Sequence, residues 1–295
     1  MFRNWFAKSA RSVPLRAYGK LPFAAEYRRI GSDTGTAAAF TRWLDEGRAA
    51  LLSREPGAQL LTSTLCVPFG AGREWVIARL WDSRDSLGRK FPFCFFVVCP
   101  QGDMGDGPLE RLGATVHYAR AFDAAWRERG SLSGRDFAKV YGDFAIEPPP
   151  ERAAAETAEL RRAAETWENG ADVGDPSAIG VSAAAGRIGE LRQPGAARRF
   201  CGALSEAAAA EAQAAAWLSW LEPALRAASV PAWCIFNDTA GATARPRVSV
   251  GLSELEPADY DALAGVANRS DCLCVRLDHP AGMRPAAWLA QHRVG

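Results

Sequence analysis

No apolar run in this chain approaches the roughly 20 residues that a helix needs to cross a bilayer. The opening residues, Met1-Phe2-Arg3-Asn4-Trp5-Phe6-Ala7-Lys8, carry aromatics but no continuous apolar segment of the kind found in signal peptides. Membrane insertion is therefore not expected, and the expected compartment is the cytoplasm. An excess of one charge is also missing: 35 basic residues stand against 34 acidic ones, a formal net charge of +1. Nucleic acid and anionic membranes normally demand a basic excess on one face, so neither is an expected partner. No Cys-x-x-Cys pair occurs, and the seven cysteines, an odd number, fall mostly inside apolar runs, as at Cys66, Cys94, Cys99 and Cys234. Cys272-x-Cys274 would put two thiols on one face of a strand. This pattern is that of reduced core thiols, not of a disulfide framework. The three histidines, His117, His279 and His292, have no neighbours at metal-ligand spacing, so neither a metal nor a cofactor is expected. A Gly-x-Ser-x-Gly nucleophile turn is absent. Lys20 lacks the upstream glycines of a phosphate loop, and Leu21 stands where that loop has a hydroxyl residue.

What the chain does have is apolar mass. Of its 295 residues 48% are hydrophobic and 10% aromatic, ample for a packed core. Two strongly apolar runs, Glu74–Leu80 and Phe91–Cys99, flank a polar connection that contains Ser83, Asp85 and Gly88. Ser and Asp side chains bond nearby backbone, and Gly accepts a positive φ, so the connection predicts a turn joining an antiparallel pair. Leu60–Val67 adds a third strand and makes a meander. The third member, Phe91–Cys99, is apolar on both faces and is expected in a central place with helices on each side. Upstream, Val13–Tyr18 predicts a strand that runs into the Gly19-Lys20-Leu21-Pro22 turn. Phe40, Trp43, Leu44, Gly47 and Leu51 share one face at helical period, opposite Arg42, Asp45, Glu46 and Arg48, which predicts an amphipathic helix over 37–52.

Farther along, 109–130 reads as one or two helices, and Glu147-Pro148-Pro149-Pro150 is a stop. Glu151–Glu168 predicts a solvent-exposed helix, Gly170–Gly195 a flexible insertion or linker, and Ala203–Leu225 carries the longest helical signal of the sequence. Strands are expected at 231–236, 247–250 and 272–277, a helix opening at Pro257 through Tyr260 and Leu263, and a short terminal helix over 285–291. The fold class is α+β: a mostly antiparallel sheet flanked by helices on both faces, with a C-terminal α/β extension. The expected division is a core over 1–146, an Ala/Gly-rich insertion over 147–195, and a C-terminal region over 196–295 that packs on the core sheet.

Ser83, Asp85 and Arg89 are the best polar constellation, but as a catalytic set they lack a nearby base. Three readings stand side by side. Asp85 and Glu26 would be paired carboxylates or hold a divalent ion; or Ser83 and Asp85 cap the loop while Arg89 pairs with an acid; or the exposed loop recognises a partner.

Ser83-x-Asp85-x-x-Gly88-Arg89-x-Phe91-Pro92 resembles the Ser-x-Asp-x-x-Gly-Arg-x-Phe-Pro signature of the TagF (also called ImpM) family. Gly19-Lys20-Leu21-Pro22 resembles the Gly-Lys-Leu-Pro near the start of family members, and Phe40-x-x-Trp43-Leu44 resembles their Trp/Leu-bearing helix. Order and spacing agree over roughly the first hundred residues. Where the family usually continues with Gly-Asp-Phe, this chain has Ala25-Glu26-Tyr27, which keeps a small residue, an acid and an aromatic. The resemblance implies an accessory, repressive, post-translational regulator of the bacterial type VI secretion system, acting by protein binding in the cytoplasm. The implied partners are secretion components, among them a forkhead-associated scaffold protein. The partner surface expected from it comprises Gly19, Lys20, Leu21, Pro22, Ser83, Asp85, Gly88, Arg89, Phe91 and Pro92, with no catalytic residue. The competing expectations are a hydrolase using the Ser83/Asp85/Arg89 loop and a cytoplasmic adaptor outside secretion.

Overall fold

The computed structural model describes residues 12–31, 33, 35–70, 73–128, 134–149, 154–170, 199–204, 209–228, 232–237, 247–251, 255–264 and 272–274. The readings for 170–195 (beyond residue 170), 275–277 and 285–291 lie outside them. The first half runs β1 (Val13–Pro14), β2 (Arg16–Gly19), β3 (Arg28–Ile30), α1 (Gly35–Arg54), β4 (Ser63–Phe69), β5 (Glu74–Trp81), β6 (Phe93–Pro100), α2 (Pro108–Glu128), α3 (Gly134–Tyr141) and β7 (Ala145–Ile146). The second half holds α4 (Ala154–Gly170), β8 (Arg199–Ala203), α5 (Ala210–Ala228), β9 (Trp233–Asn237), β10 (Arg247–Gly251), a 3₁₀ helix (Pro257–Ala264) and β11 (Cys272–Cys274).

Nine strands form one sheet in the order β11-β8-β10-β9-β4-β5-β6-β2-β3, and β1 pairs separately with β7. Every pair in the large sheet is antiparallel except β11 with β8 at one edge. The architecture is therefore α+β, as the pattern of runs predicts. β5 and β6 form the expected antiparallel pair, with Ala78 opposite Phe96 and Leu80 opposite Cys94.

Period-two alternation explains why both faces are covered. On β5 and β6, Trp75, Ile77, Phe93, Phe95 and Val97 turn to one side and pack under α2 and α3, against Tyr118, Phe122, Phe137 and Tyr141. Their alternates Val76, Ala78, Leu80, Cys94 and Phe96 turn to the other side and meet α1 through Phe40, Trp43 and Leu44. All five residues placed on the apolar face of α1 are buried.

Two expectations need correction, and one helix was not foreseen. Ala203 is not helical: it ends β8, a strand held between β10 and β11, and the helix begins at Ala210. The segment read as a solvent-exposed helix, α4, buries Leu160 and Ala164 against α2 and α5. α3 packs Phe137 and Tyr141, both fully enclosed, under the sheet, although the sequence reading did not single it out as a helix.

Candidate functional site

β5 ends at Trp81 and β6 begins at Phe93, and the chain between them folds back on itself through the Arg84–Lys90 bridge. The Asp85 carbonyl accepts the Gly88 N–H at 3.0 Å, and Gly88 takes φ 80°, which closes the turn. The Asp85 side chain caps that turn from inside. Its Oδ1 accepts the N–H groups of Leu87 at 3.0 Å and Arg89 at 2.8 Å. Its Oδ2 accepts Arg89 Nε at 2.7 Å and Lys20 Nζ at 3.0 Å.

Lys20 arrives from the Gly19–Pro22 turn, so this ion pair joins the two sequence blocks. The junction is tied at further points. Ser83 Oγ donates to the Lys20 carbonyl at 2.7 Å, the Ser86 N–H to the Ala24 carbonyl at 3.0 Å, and the Arg89 guanidinium to the Ala25 carbonyl. Gly19 sits where β2 meets the start of β6 with φ 132°, and a Cβ there would lie 2.1 Å from the Pro92 carbonyl oxygen. The glycine and the proline of the two blocks are thus in direct apposition.

Burial of the Asp85 carboxyl works against its charge. The Lys20 ammonium, the Arg89 N–H and guanidinium and the Leu87 N–H outweigh that cost and hold its pKa well below the ordinary carboxylate range. The carboxylate is shut off from solvent yet shallow, lying just beneath the loop. With both oxygens accepting two donors each, its lone pairs are filled. A carboxylate in that state is a poor proton acceptor.

The expected site residues are brought together, but not all on the surface. Lys20, Leu21, Asp85, Phe91 and Pro92 are buried, and Ser83 is half-buried with its hydroxyl engaged. Pro22, Gly88 and Arg89 are exposed. Asp85 does not meet Glu26 as a second carboxylate; it meets Lys20, and Glu26 stands exposed. Among the described residues no cluster of three metal-ligating side chains forms. His117, the one histidine described, is in α2, its ring nitrogens 3.1 Å from Glu156 Oε1 and from the Glu147 carbonyl.

Sequence reading overlooked the aromatic group beside the loop. The ring of Tyr27 lies 4.8 Å from Phe91 and 5.6 Å from Tyr18, whose hydroxyl donates to Asp45 at 2.8 Å. Leu87, at the loop's tip, is 67% exposed. An apolar residue in the middle of a polar turn is the signal that marked it.

No family model and no curated protein matches the chain. Among solved structures it is similar to PA0076 from Pseudomonas aeruginosa PAO1, with 16% identity and a TM-score of 0.37 over 49% of this chain and 77% of that one. An identity and a TM-score this low carry no argument about function.

Proposed function

We propose that this chain is a TagF-like accessory protein that represses bacterial type VI secretion after translation, by binding a secretion component in the cytoplasm. One observation carries the reading. The two blocks on which the resemblance rests, Gly19–Pro22 and Ser83–Pro92, meet in one locus through the Lys20–Asp85 pair and the Gly19–Pro92 contact. A motif split over more than sixty residues has a physical reason to occur as a unit when its halves shape one surface. The buried members fix that surface, and Leu87, Gly88, Arg89 and Tyr27 are presented on it. The filled lone pairs of Asp85 support a binding role over a catalytic one, because a carboxylate held ionised and fully bonded has no vacancy for a substrate proton.

The mechanism is occupancy: a component held by this surface is withdrawn from assembly, and release restores it. Affinity capture of type VI secretion components tests the reading, using the wild type, Leu87→Asp and Arg89→Glu, with far-UV circular dichroism confirming that each variant is folded. The wild type is expected to capture a component that both variants lose. Capture of none by the wild type counts against the function, and equal capture by all three counts against the loop as the contact.

A further inference from the structure

Three large hydrophobic side chains stand exposed among the described residues: Tyr27, Leu87 and Val140. Two of them share one surface. Ser86 and Arg89, on either side of Leu87, bond the carbonyls of Ala24 and Ala25, next to Tyr27. The loop tip and the 24–27 segment therefore form one continuous patch.

Cations ring that patch. Lys20 Nζ is 5.2 Å from the Tyr27 ring centroid, the Arg48 guanidinium 5.4 Å from Phe91, and the Arg29 guanidinium 5.1 Å from Tyr18. Arg84 and Lys90 are exposed on the bridge behind the tip. Two carboxylates of the cluster are engaged, while Glu26 and Asp82 stand exposed. Asp85 serves both Lys20 and Arg89, two cations on one anion, and Asp45 accepts the Tyr18 hydroxyl. Arg29 and Arg89 remain more than half exposed, at 55% and 56% of their side chains. Arg29 pairs with the exposed Asp33 at 3.8 Å and also lies near Asp45, whose charged form it favours, and an exposed pair such as Arg29–Asp33 is weak enough for an incoming anion to displace. Guanidiniums stacked on aromatic rings hold their geometry while offering donors to a carboxylate.

We infer that this surface docks an acidic segment of a partner protein, with carboxylates against Arg29 and Arg89 and an apolar side chain over Leu87 and the Tyr27 ring. The inference rests on the reading of the chain as a binding protein and deepens it by naming the partner's chemistry. Its sharpest consequence concerns Glu26, which is exposed on the same segment. An acidic partner is repelled by that carboxylate, so removing its charge tightens docking.

The test is fluorescence anisotropy of the full chain with a labelled eight-residue peptide of Glu and Asp around one central Leu, compared with its Lys counterpart. The acidic peptide is expected to bind and to be released by raised salt, and the basic one not to bind. Arg29→Glu weakens the acidic peptide at least tenfold, Glu26→Gln tightens it severalfold, and Val140→Asp, on α3 and in none of the ion pairs named here, leaves it unchanged. No binding, equal binding to wild type and Arg29→Glu, preference for the basic peptide, or preference for vesicles of phosphatidylglycerol over the peptide would each overturn the inference. The two readings fail separately. A secretion component captured equally by wild type and Arg29→Glu removes the surface and leaves the function. Acidic-peptide binding without capture of any secretion component does the reverse.

Discussion

A buried carboxylate held by two cations and two backbone N–H groups ties its loop to the ionised state. Because the folded-state pKa of Asp85 lies below the ordinary value of 3.8, its contribution to stability is complete above about pH 5. That contribution is lost as pH falls below the ordinary value toward the depressed one. Thermal melts of wild type and Asp85→Asn from pH 7 to pH 3 are expected to show a gap at neutral pH that narrows in acid. A gap that stays constant or widens in acid would contradict the bonding described for this side chain.

The two glycines of the motif make a second contrast at the residue scale. Gly88 has φ 80° with open space around it, so Gly88→Ala meets only the left-handed backbone penalty, about 1 kcal/mol. Gly19 combines φ 132° with a backbone oxygen 2.1 Å from where a Cβ would sit. Neither the backbone of Pro92 nor that of Gly19 can move without breaking the β2–β6 register, so Gly19→Ala is expected to cost well over about 2 kcal/mol. Urea denaturation of both variants measures the ordering, and equal costs would mean that the apposition is loose.

At the scale of single elements, α1 contains a glycine that helix propensity alone would replace. Gly47→Ala gains about 1 kcal/mol of intrinsic propensity. A Cβ at Gly47 would, however, lie 2.5 Å from the Tyr260 Cβ and 2.7 Å from its ring, where the 3₁₀ helix packs on α1. The clash outweighs the gain, and a net loss of about 1–2 kcal/mol is expected in urea denaturation. A stabilised Gly47→Ala would show that the two elements can separate at no cost.

α4 gives the complementary case. Leu160 is 6% exposed, packed between α2 and α5, so Leu160→Ala is expected to cost about 2–3 kcal/mol, while Leu87→Ala, at 67% exposure, stays near zero. These elements also mark where sequence reading succeeds. The meander is legible as continuous apolar runs, because both of its faces are covered by a neighbouring layer, and α1 as the stripe Phe40, Trp43, Leu44, Gly47 and Leu51. β3, β7 and β11 have two or three residues each, and such strands exist only through their partners. β8 lies close before an alanine-rich helix and pairs with β10 about fifty residues later, so no local pattern sets its boundary. The orientation of α4 was hidden because alanine is compatible with either environment. The loop lock follows the same logic: Asp85 as a cap was readable from its own neighbours, but its partner Lys20 belongs to a turn 65 residues earlier.

Across the whole molecule, one contact decides how the two ends of the chain relate. β9 pairs with β4 at the middle of the sheet, so the C-terminal strands continue the N-terminal meander. The seam is polar as well as apolar. Asn237 at the end of β9 donates to Ser63 Oγ at 2.8 Å and to the Ala262 carbonyl at 3.2 Å, and accepts the Arg247 N–H at 3.2 Å. Arg54 of α1 bonds both oxygens of Asp261, and the Trp43 indole donates to the Glu256 carbonyl at 2.8 Å. Trp233 and Ile235 complete the same apolar layer as Phe40, Trp43 and Leu65. Cutting there would bare the edge of β4 and the inner faces of α1 and the sheet together, which is costly and prone to association. The N-terminal meander and the C-terminal strands are therefore expected to unfold as one cooperative unit, with far-UV circular dichroism and tryptophan fluorescence giving coincident urea transitions. Asn237→Ala removes three hydrogen bonds at this seam and is expected to lower the stability of that single transition by about 2 kcal/mol without splitting it. Two separated transitions, with Asn237→Ala shifting only one, would mean that the seam joins independent domains and that the loop surface folds without the C-terminal strands.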